Sequence, residues 1–249
     1  MNKLQEFGTD IWIADGPPVN ALGSAVRARF LEELDRAEAD TSVRVIVVIG
    51  RGRSFCAGDD LKEEAARAGS ASTDLGQFGR LLDRIENLRV PVIGAINGHA
   101  VGGGLELALC CDIRLASENA TFLAAGVNVG LMASVYRLPR LIGAGDASMM
   151  ILTGRPVNAS RALDCGLVSE IQPHDALLDA ALDLATRIAS RAPLSVEASK
   201  RMIRQASELT PTTWSSAAAK ELAVLLKSND HKEGVAAILG RREPVFTRS

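Results

Sequence analysis

The chain has 249 residues, of which 47% are hydrophobic, 23% charged and only 4% aromatic, and its formal net charge is −2. This suits one large α/β domain, or a core with a smaller appendage, packed from Ala, Val, Ile and Leu. The charge balance excludes a basic surface for nucleic acid or an anionic membrane. No apolar run approaches the ~18 residues of a membrane helix. The opening residues Met1-Asn-Lys-Leu-Gln-Glu-Phe lack the apolar stretch of a signal peptide. The expected location is therefore the cytoplasm.

In chain order, Phe7 to Ala14 alternates as a strand does, Gly16-Pro17-Pro18 breaks it, and Asn20 is placed to cap the next helix. Leu22, Val26, Phe30, Leu31 and Leu34 recur at helical spacing and predict a helix over 21–39. Val43 to Ile49 is a β-branched run of the kind buried on both faces of a parallel sheet. A glycine-punctuated loop is expected over 50–60, an Ala/Gly/Ser-rich mobile loop over 65–79, and a helix over 75–88. Val90 to Ile96 is a second buried strand, residues 103–110 form a helix after a glycine-rich turn, and Asp112 to Ala116 is a third strand. From about Ala144 the pattern is mostly helical, with a short strand over 167–171 and a break at Pro193. Strand–helix alternation argues for parallel pairing. The expected division is a mixed core over 1–193 and a helical C-terminal region over 194–249.

Two segments carry the chemistry. The first is Arg53-Ser-Phe-Cys-Ala-Gly-Asp-Asp-Leu-Lys-Glu; the second is Asn97-Gly-His-Ala-Val-Gly-Gly-Gly-Leu-Glu-Leu-Ala. Each is a turn after an apolar β-type run, with small residues where backbone N–H groups can face a ligand. Brought together, two such turns make a two-donor hole for a developing oxyanion. Glu106 follows the middle glycine by three residues, in an apolar stretch where a carboxylate is costly unless it is paired or used. It reads either as an acid–base group beside the hole or as the partner of an arginine.

The cysteines, Cys56, Cys110, Cys111 and Cys165, form no metal or disulfide pattern and read as packing residues. His99 reads as turn packing, His174 and His231 as surface residues. Asp112 is expected to anchor its loop or to pair with Arg114 or another arginine. No metal site is expected.

These motifs, with Asn20-Ala-Leu, Cys111-Asp-Ile-Arg, Leu138-Pro-Arg-Leu-Ile-Gly, Leu152-Thr-Gly, Ala162-Leu-Asp-Cys-Gly-Leu-Val and Glu233-Gly-Val-Ala-Ala-Ile-Leu, resemble the crotonase superfamily, the enoyl-CoA hydratase/isomerase family, over nearly the whole chain. The resemblance implies an α/β fold, a crotonase-like spiral of ββα turns with a helical C-terminal trimerisation region. It implies a homotrimer or homohexamer that binds acyl-CoA thioesters, with coenzyme A part of the substrate and no further cofactor. Carried onto this chain, the oxyanion donors are the N–H groups of Asp59 and Gly103, and Glu106 matches one of two hydratase glutamates. Arg53, Ala57, Gly58, Asp60, Leu61, Gly102 and Gly126 are the expected CoA and substrate contacts, with Phe246 and Arg248 as further candidates near the C-terminus. Asp60 also suits the cap of a helix beginning at Leu61.

The pattern departs from the family at one place. The second hydratase glutamate follows Phe-x-x-Pro-Glu; here the stretch is Phe122-Leu-Ala-Ala-Gly126, and the glycine-rich segment after it is shortened to Gly130-Leu-Met-Ala-Ser-Val-Tyr-Arg. Asn128, Ser134 and Tyr136 could each orient a water there, though capping or packing serves them equally. The expected reaction is hydration of a 2-enoyl-CoA to the 3-hydroxyacyl-CoA with Glu106 as acid and base. The alternatives are isomerisation, decarboxylation or thioester hydrolysis, or acyl-CoA binding without turnover.

Overall fold

The computed structural model describes residues 9–14, 19–66 and 71–249, and for 9–14, 61, 64 and 71–75 the backbone only. Phe7, the Gly16-Pro17-Pro18 break and part of the loop expected over 65–79 lie outside the described residues.

β-Branched runs build the first sheet. Strands β1 (Thr9–Ala14), β2 (Val45–Gly50), β4 (Val92–Ile96), β6 (Ile113–Ser117) and β9 (Glu170–Gln172) lie in the order β1-β2-β4-β6-β9, every pair parallel. Burial on both faces explains why the central strands β2 and β4 are continuously apolar rather than alternating. On one face Val45, Val47, Ile93, Ala95 and Leu115 pack on helix α7 (Leu177–Ala189) through Leu177, Ala181, Ala185 and Ala189, small residues that let the helix come close. On the other face Ile46, Val48, Val92, Ile96 and Ala116 enter the main core.

The second sheet was hidden in what the sequence suggests are loops. Strands β3 (Ser54–Cys56), β5 (His99–Val101) and β7 (Thr121–Leu123) are parallel, and β8 (Val157–Asn158) joins β7 antiparallel. Three strands of the first sheet are thus each followed by a short one in the other sheet, β2 by β3, β4 by β5 and β6 by β7. The loop expected over 50–60 and the turn before 103 therefore both contain strand. Three residues are too few for a periodic signal, and pairing rather than propensity makes them strands.

Helix α1 spans Ser24–Ala39, and α2 (Leu61–Ala66) and α3 (Ala71–Glu86) follow β3. Helix α3 thus starts inside the segment expected to be loop. Asn20 does not cap α1, whose N-cap is Gly23. Its side-chain amide instead donates to the carbonyls of Arg51, Ser54 and Phe55, bracing the loop that carries the first turn. Asp60 caps α2 as expected, its Oδ1 accepting from the Lys62 N–H at 2.9 Å. Helix α4 is Gly103–Cys110, α5 is Arg137–Thr153 with a break at Gly143, and α6 is Ala159–Asp164.

The C-terminal helices α8 (Pro193–Gln205), α9 (Pro211–Leu225) and α10 (Asn229–Gly240) complete the chain. Proline opens α8 at its first turn, where its missing N–H is no loss, rather than separating α8 from its start. Buried Lys200 of α8 clamps this region to the sheet, its Nζ lying 2.7 Å from Asp112 Oδ2 and donating to the Val90 carbonyl at 2.8 Å. Asp112 pairs with this lysine and not with an arginine; Arg114 donates instead to the Leu167 and Cys111 carbonyls. Burial lowers the Lys200 pKa, opposed by Asp112. Lys200→Met strands the Asp112 carboxylate and is expected to destabilise the fold by about 3 kcal/mol, read as a lower urea midpoint at unchanged m-value.

Candidate active site

The two glycine turns meet backbone to backbone. Gly58 has φ +88°, a conformation that L side chains rarely adopt, and a Cβ placed on it would stand 2.7 Å from the Gly103 nitrogen. Hence the residue before Asp59 must be glycine, on two independent grounds. The paired short strands β3 and β5 hold this contact, and the first N–H groups of α4, which have no intrahelical acceptor, open beside it.

A cavity of about 640 Å³ lies over this junction, lined by Ala57, Asp59 and Asp60 from the first turn and by Gly102, Gly103 and Glu106 from the second. Gly126 lines it as well, with Ala125, Ser134 and Arg137; Phe78 and Leu82 of α3 form an apolar wall. The structure thus brings seven of the predicted site residues into one space. Arg53 is exposed outside the lining, Gly58 is buried beneath it, and Leu61 opens α2 with its side chain outside the described atoms. Arg248 is held by Glu197 at 3.0 Å, and the Phe246 carbonyl accepts from Arg44 at 2.9 Å, so both belong to C-terminal packing. No histidine lines the cavity: His99 is exposed and bonded to Thr121 Oγ1 at 2.6 Å.

Glu106 is 8% exposed and is both things the sequence offered: paired with an arginine and facing the cavity. Arg137 Nη1 lies 3.1 Å from its Oε2, while Oε1 is shut from solvent with no hydrogen-bond partner among the described residues. Arg137 also pairs with Glu86 at 2.9 Å and Asp83 at 3.2 Å, and Glu86 in turn with Arg204 at 2.9 Å. Burial opposes the charge of Arg137, yet the surrounding acidic groups outweigh it and hold its pKa above the ordinary value. The network fixes the rotation of the Glu106 carboxylate and leaves one oxygen uncommitted. Sequence reasoning did not single out Arg137, although a buried glutamate demands such a partner.

A second ion pair stands at the hole. Arg27, 4% exposed, donates from Nη2 to Asp59 Oδ1 at 2.6 Å and from Nε to the Leu22 carbonyl at 2.6 Å, with its guanidinium 5.2 Å from the centre of the Phe78 ring. The Asp59 Oδ2 lies 3.2 Å from where a Cβ on Gly103 would be, so a carboxylate lies beside the paired turns with an arginine locked behind it. Arg27 was also not singled out from the sequence, where it reads as one polar residue of an amphipathic helix.

The thiols take no part. Burial pushes Cys56 and Cys111 up to about 12 and Cys110 well above its ordinary value. Among the described residues no group of three or more His, Cys, Asp or Glu is placed to hold a metal, and no helix is long and apolar enough to cross a membrane.

Gly126 has no room for a side chain. A Cβ there would stand 2.9 Å from the Ala133 Cβ, the Ala133 nitrogen and the Leu131 carbonyl oxygen, because residues 131–133 fold back over it, the Leu131 N–H donating to the Gly126 carbonyl at 2.8 Å. Two of those neighbours are backbone, so a side chain requires the segment to move. Gly126→Ala is expected to lower stability by about 1–3 kcal/mol, and Gly126→Glu by more, as measured by thermal melting.

Comparison with known proteins agrees with the geometry. Residues 10–249 match the family model for enoyl-CoA hydratase/isomerase. A 2,3-dehydroadipyl-CoA hydratase of Escherichia coli (strain K12) is 36% identical over 230 residues, covering 91% of this chain and 90% of the relative. An (E)-benzylidenesuccinyl-CoA hydratase of Thauera aromatica is 37% identical over 232 residues, covering 92% and 91%. The crystal structure of an enoyl-CoA hydratase from Bacillus anthracis superposes with a TM-score of 0.92 at 31% identity, covering 97% of this chain and 96% of that one. With its mixed α/β core of parallel sheets, its helical C-terminal region and its two apposed glycine turns, the chain belongs to the enoyl-CoA hydratase/isomerase family.

Proposed function

We propose that this protein adds water across the double bond of a 2-enoyl-CoA thioester, giving the 3-hydroxyacyl-CoA. The observation that carries this reading is Glu106: a carboxylate beside the paired turns, one oxygen fixed by Arg137 and the other unpartnered. In this reading the thioester carbonyl accepts from the N–H groups of Asp59 and Gly103, and the positive end of α4 favours the charge that develops there. Glu106 takes a proton from water as its oxygen bonds to C3, and returns a proton to C2 as the enolate collapses. The CoA and substrate contacts are assigned to Ala57, Asp60, Gly102 and Gly126, which line the cavity, and to Arg53, Gly58 and Leu61 of the first turn. The names of the relatives support hydration over the other reactions of the family.

The absence of room for a side chain at Gly126 supports a one-glutamate mechanism. Loss of enoyl-thioester absorbance with crotonyl-CoA and a medium-chain enoyl-CoA is the test. Glu106→Gln is expected to reduce turnover by about a thousandfold with little change in acyl-CoA binding. Wild-type turnover that survives this substitution would defeat the reading.

Arg27 is assigned the task of neutralising Asp59 where the oxyanion forms. Without the Arg27 charge beside it, a carboxylate ~5 Å from that oxyanion opposes it by about 3 kcal/mol at an effective dielectric near 20. Arg27→Met is expected to slow turnover by about a hundredfold, and Arg27→Met/Asp59→Ala to restore most of it without restoring the melting temperature. If activity instead tracks melting temperature across both variants, the pair is structural only.

The reading includes a homotrimer or homohexamer, with residues 1–193 carrying the site and 194–249 the assembly surface. Leu222, Val224, Leu226, Ile238 and Leu239 are all more than half exposed on or next to α9 and α10, which supports it. Light scattering on the purified protein is expected to give three or six times the chain mass; a monomer at micromolar concentration would sink this part.

A further inference from the structure

The segment that occupies the place of a side chain at 126 carries a polar atom of its own. Ala133 stands against Gly126, and the next residue, Ser134, is 5% exposed and lines the same cavity as Glu106. Its Oγ is shut from solvent and has no hydrogen-bond partner among the described residues, the same condition as Oε1 of Glu106. Its backbone has φ +61°, a left-handed conformation in which a residue with a Cβ is strained. An unmet buried hydroxyl and a strained backbone thus coincide at one serine, and alanine or glycine would shed at least one of these defects.

The other polar candidates of the segment are engaged elsewhere. The Asn128 amide donates to the Gly154 carbonyl at 3.1 Å, and Tyr136, more than half exposed, donates to Glu208 at 3.3 Å with Arg140 over its ring. Ser134 is the one whose hydroxyl has nothing else to do.

We propose that Ser134 Oγ and Glu106 Oε1 together hold the water that adds to C3, the hydroxyl taking the water-orienting task that a second carboxylate has in two-glutamate hydratases. This rests on the hydratase reading above. Two unpartnered buried groups on one cavity are the polar contacts a bound water requires. The segment over them is loosely covered, with Leu131 52% and Met132 80% exposed, so a small outward shift as substrate enters makes the room. A neutral hydroxyl orients water but cannot keep its proton. The water oxygen therefore bonds to C3 while its proton passes to Glu106, the C2=C3 π pair moves toward the thioester oxygen, and Glu106 returns a proton to C2. One water supplies the new O–H on C3 and the new hydrogen on C2, and nothing is oxidised or reduced.

Two reactions of the same site separate this role from a structural one. Hydration of crotonyl-CoA needs attack at C3; exchange of the C2 hydrogens of butyryl-CoA in D2O needs only the oxyanion donors and Glu106. Ser134→Ala and Ser134→Gly are expected to hydrate about ten- to a hundredfold more slowly at unchanged KM, while exchanging at the wild-type rate. Ser134→Gly is expected to melt no lower than wild type, since glycine accepts this φ. Unchanged hydration in both variants overturns the proposal, and so does a parallel fall of hydration and exchange, which marks a structural role. A wild-type protein that exchanges butyryl-CoA yet hydrates no enoyl-CoA defeats the hydratase reading and the water site with it; a hydrating wild type with intact variants defeats the water site alone.

Discussion

The site depends on a contact with no side chain in it. The backbone at Gly58 and the backbone at Gly103 lie so close that a single Cβ on the first would collide with the amide of the second. Everything else follows from keeping two main chains at that distance. Short parallel strands on either side fix their register, the Asn20 amide braces the incoming loop, and helix α4 starts where its unpaired N–H groups emerge beside the first turn. In the proposed reading the backbone forms the oxyanion hole, and backbone donors have one advantage over side chains: they cannot rotate away, so no reorganisation is needed when charge appears.

Around that contact the charges come in locked pairs. Asp59, held from behind by Arg27, and the Arg137–Glu106 pair stand on a cavity lined mostly by small and apolar residues, with Asp60 and Lys62 also on it. The two pairs have different consequences. In the first, the guanidinium is hydrogen-bonded to a carboxylate beside the paired turns, and in the proposed reading it offsets that charge. In the second, the arginine shares itself among Glu106, Glu86 and Asp83, so it orients the carboxylate without claiming both oxygens. Low exposure strengthens each interaction, and it also makes each half costly to remove alone.

The sequence carried the parts that depend on local pattern. The long buried strands, α1, α4, the C-terminal helices and the glycine turns all follow from runs, periodicity and breakers, and Glu106 stands out because a carboxylate in Gly-Leu-Glu-Leu-Ala-Leu is anomalous. What escaped depends on pairing across the chain. Strands of three residues within the turns have no period to detect. Arg27 and Arg137 look like ordinary helix arginines until their partners, 32 and 31 residues away, are known. Asn20 has the chemistry of a cap, yet the loop beyond β2 uses its amide instead. Ser134 could be named as a candidate, but only burial, backbone angle and the lack of a partner separate it from Asn128 and Tyr136.

The way residues 131–133 close over Gly126 also bears on how this chain can change over time. Glycine at 126 and the short segment are mutually permissive: each is tolerated because of the other. Placing a glutamate at 126 alone meets occupied space, and lengthening the segment alone disturbs the cover of Ser134 while supplying no acid. Neither single change is expected to be an improvement, so the two features hold each other in place. A lineage that carries both is expected to change on the serine side of the cavity rather than at residue 126.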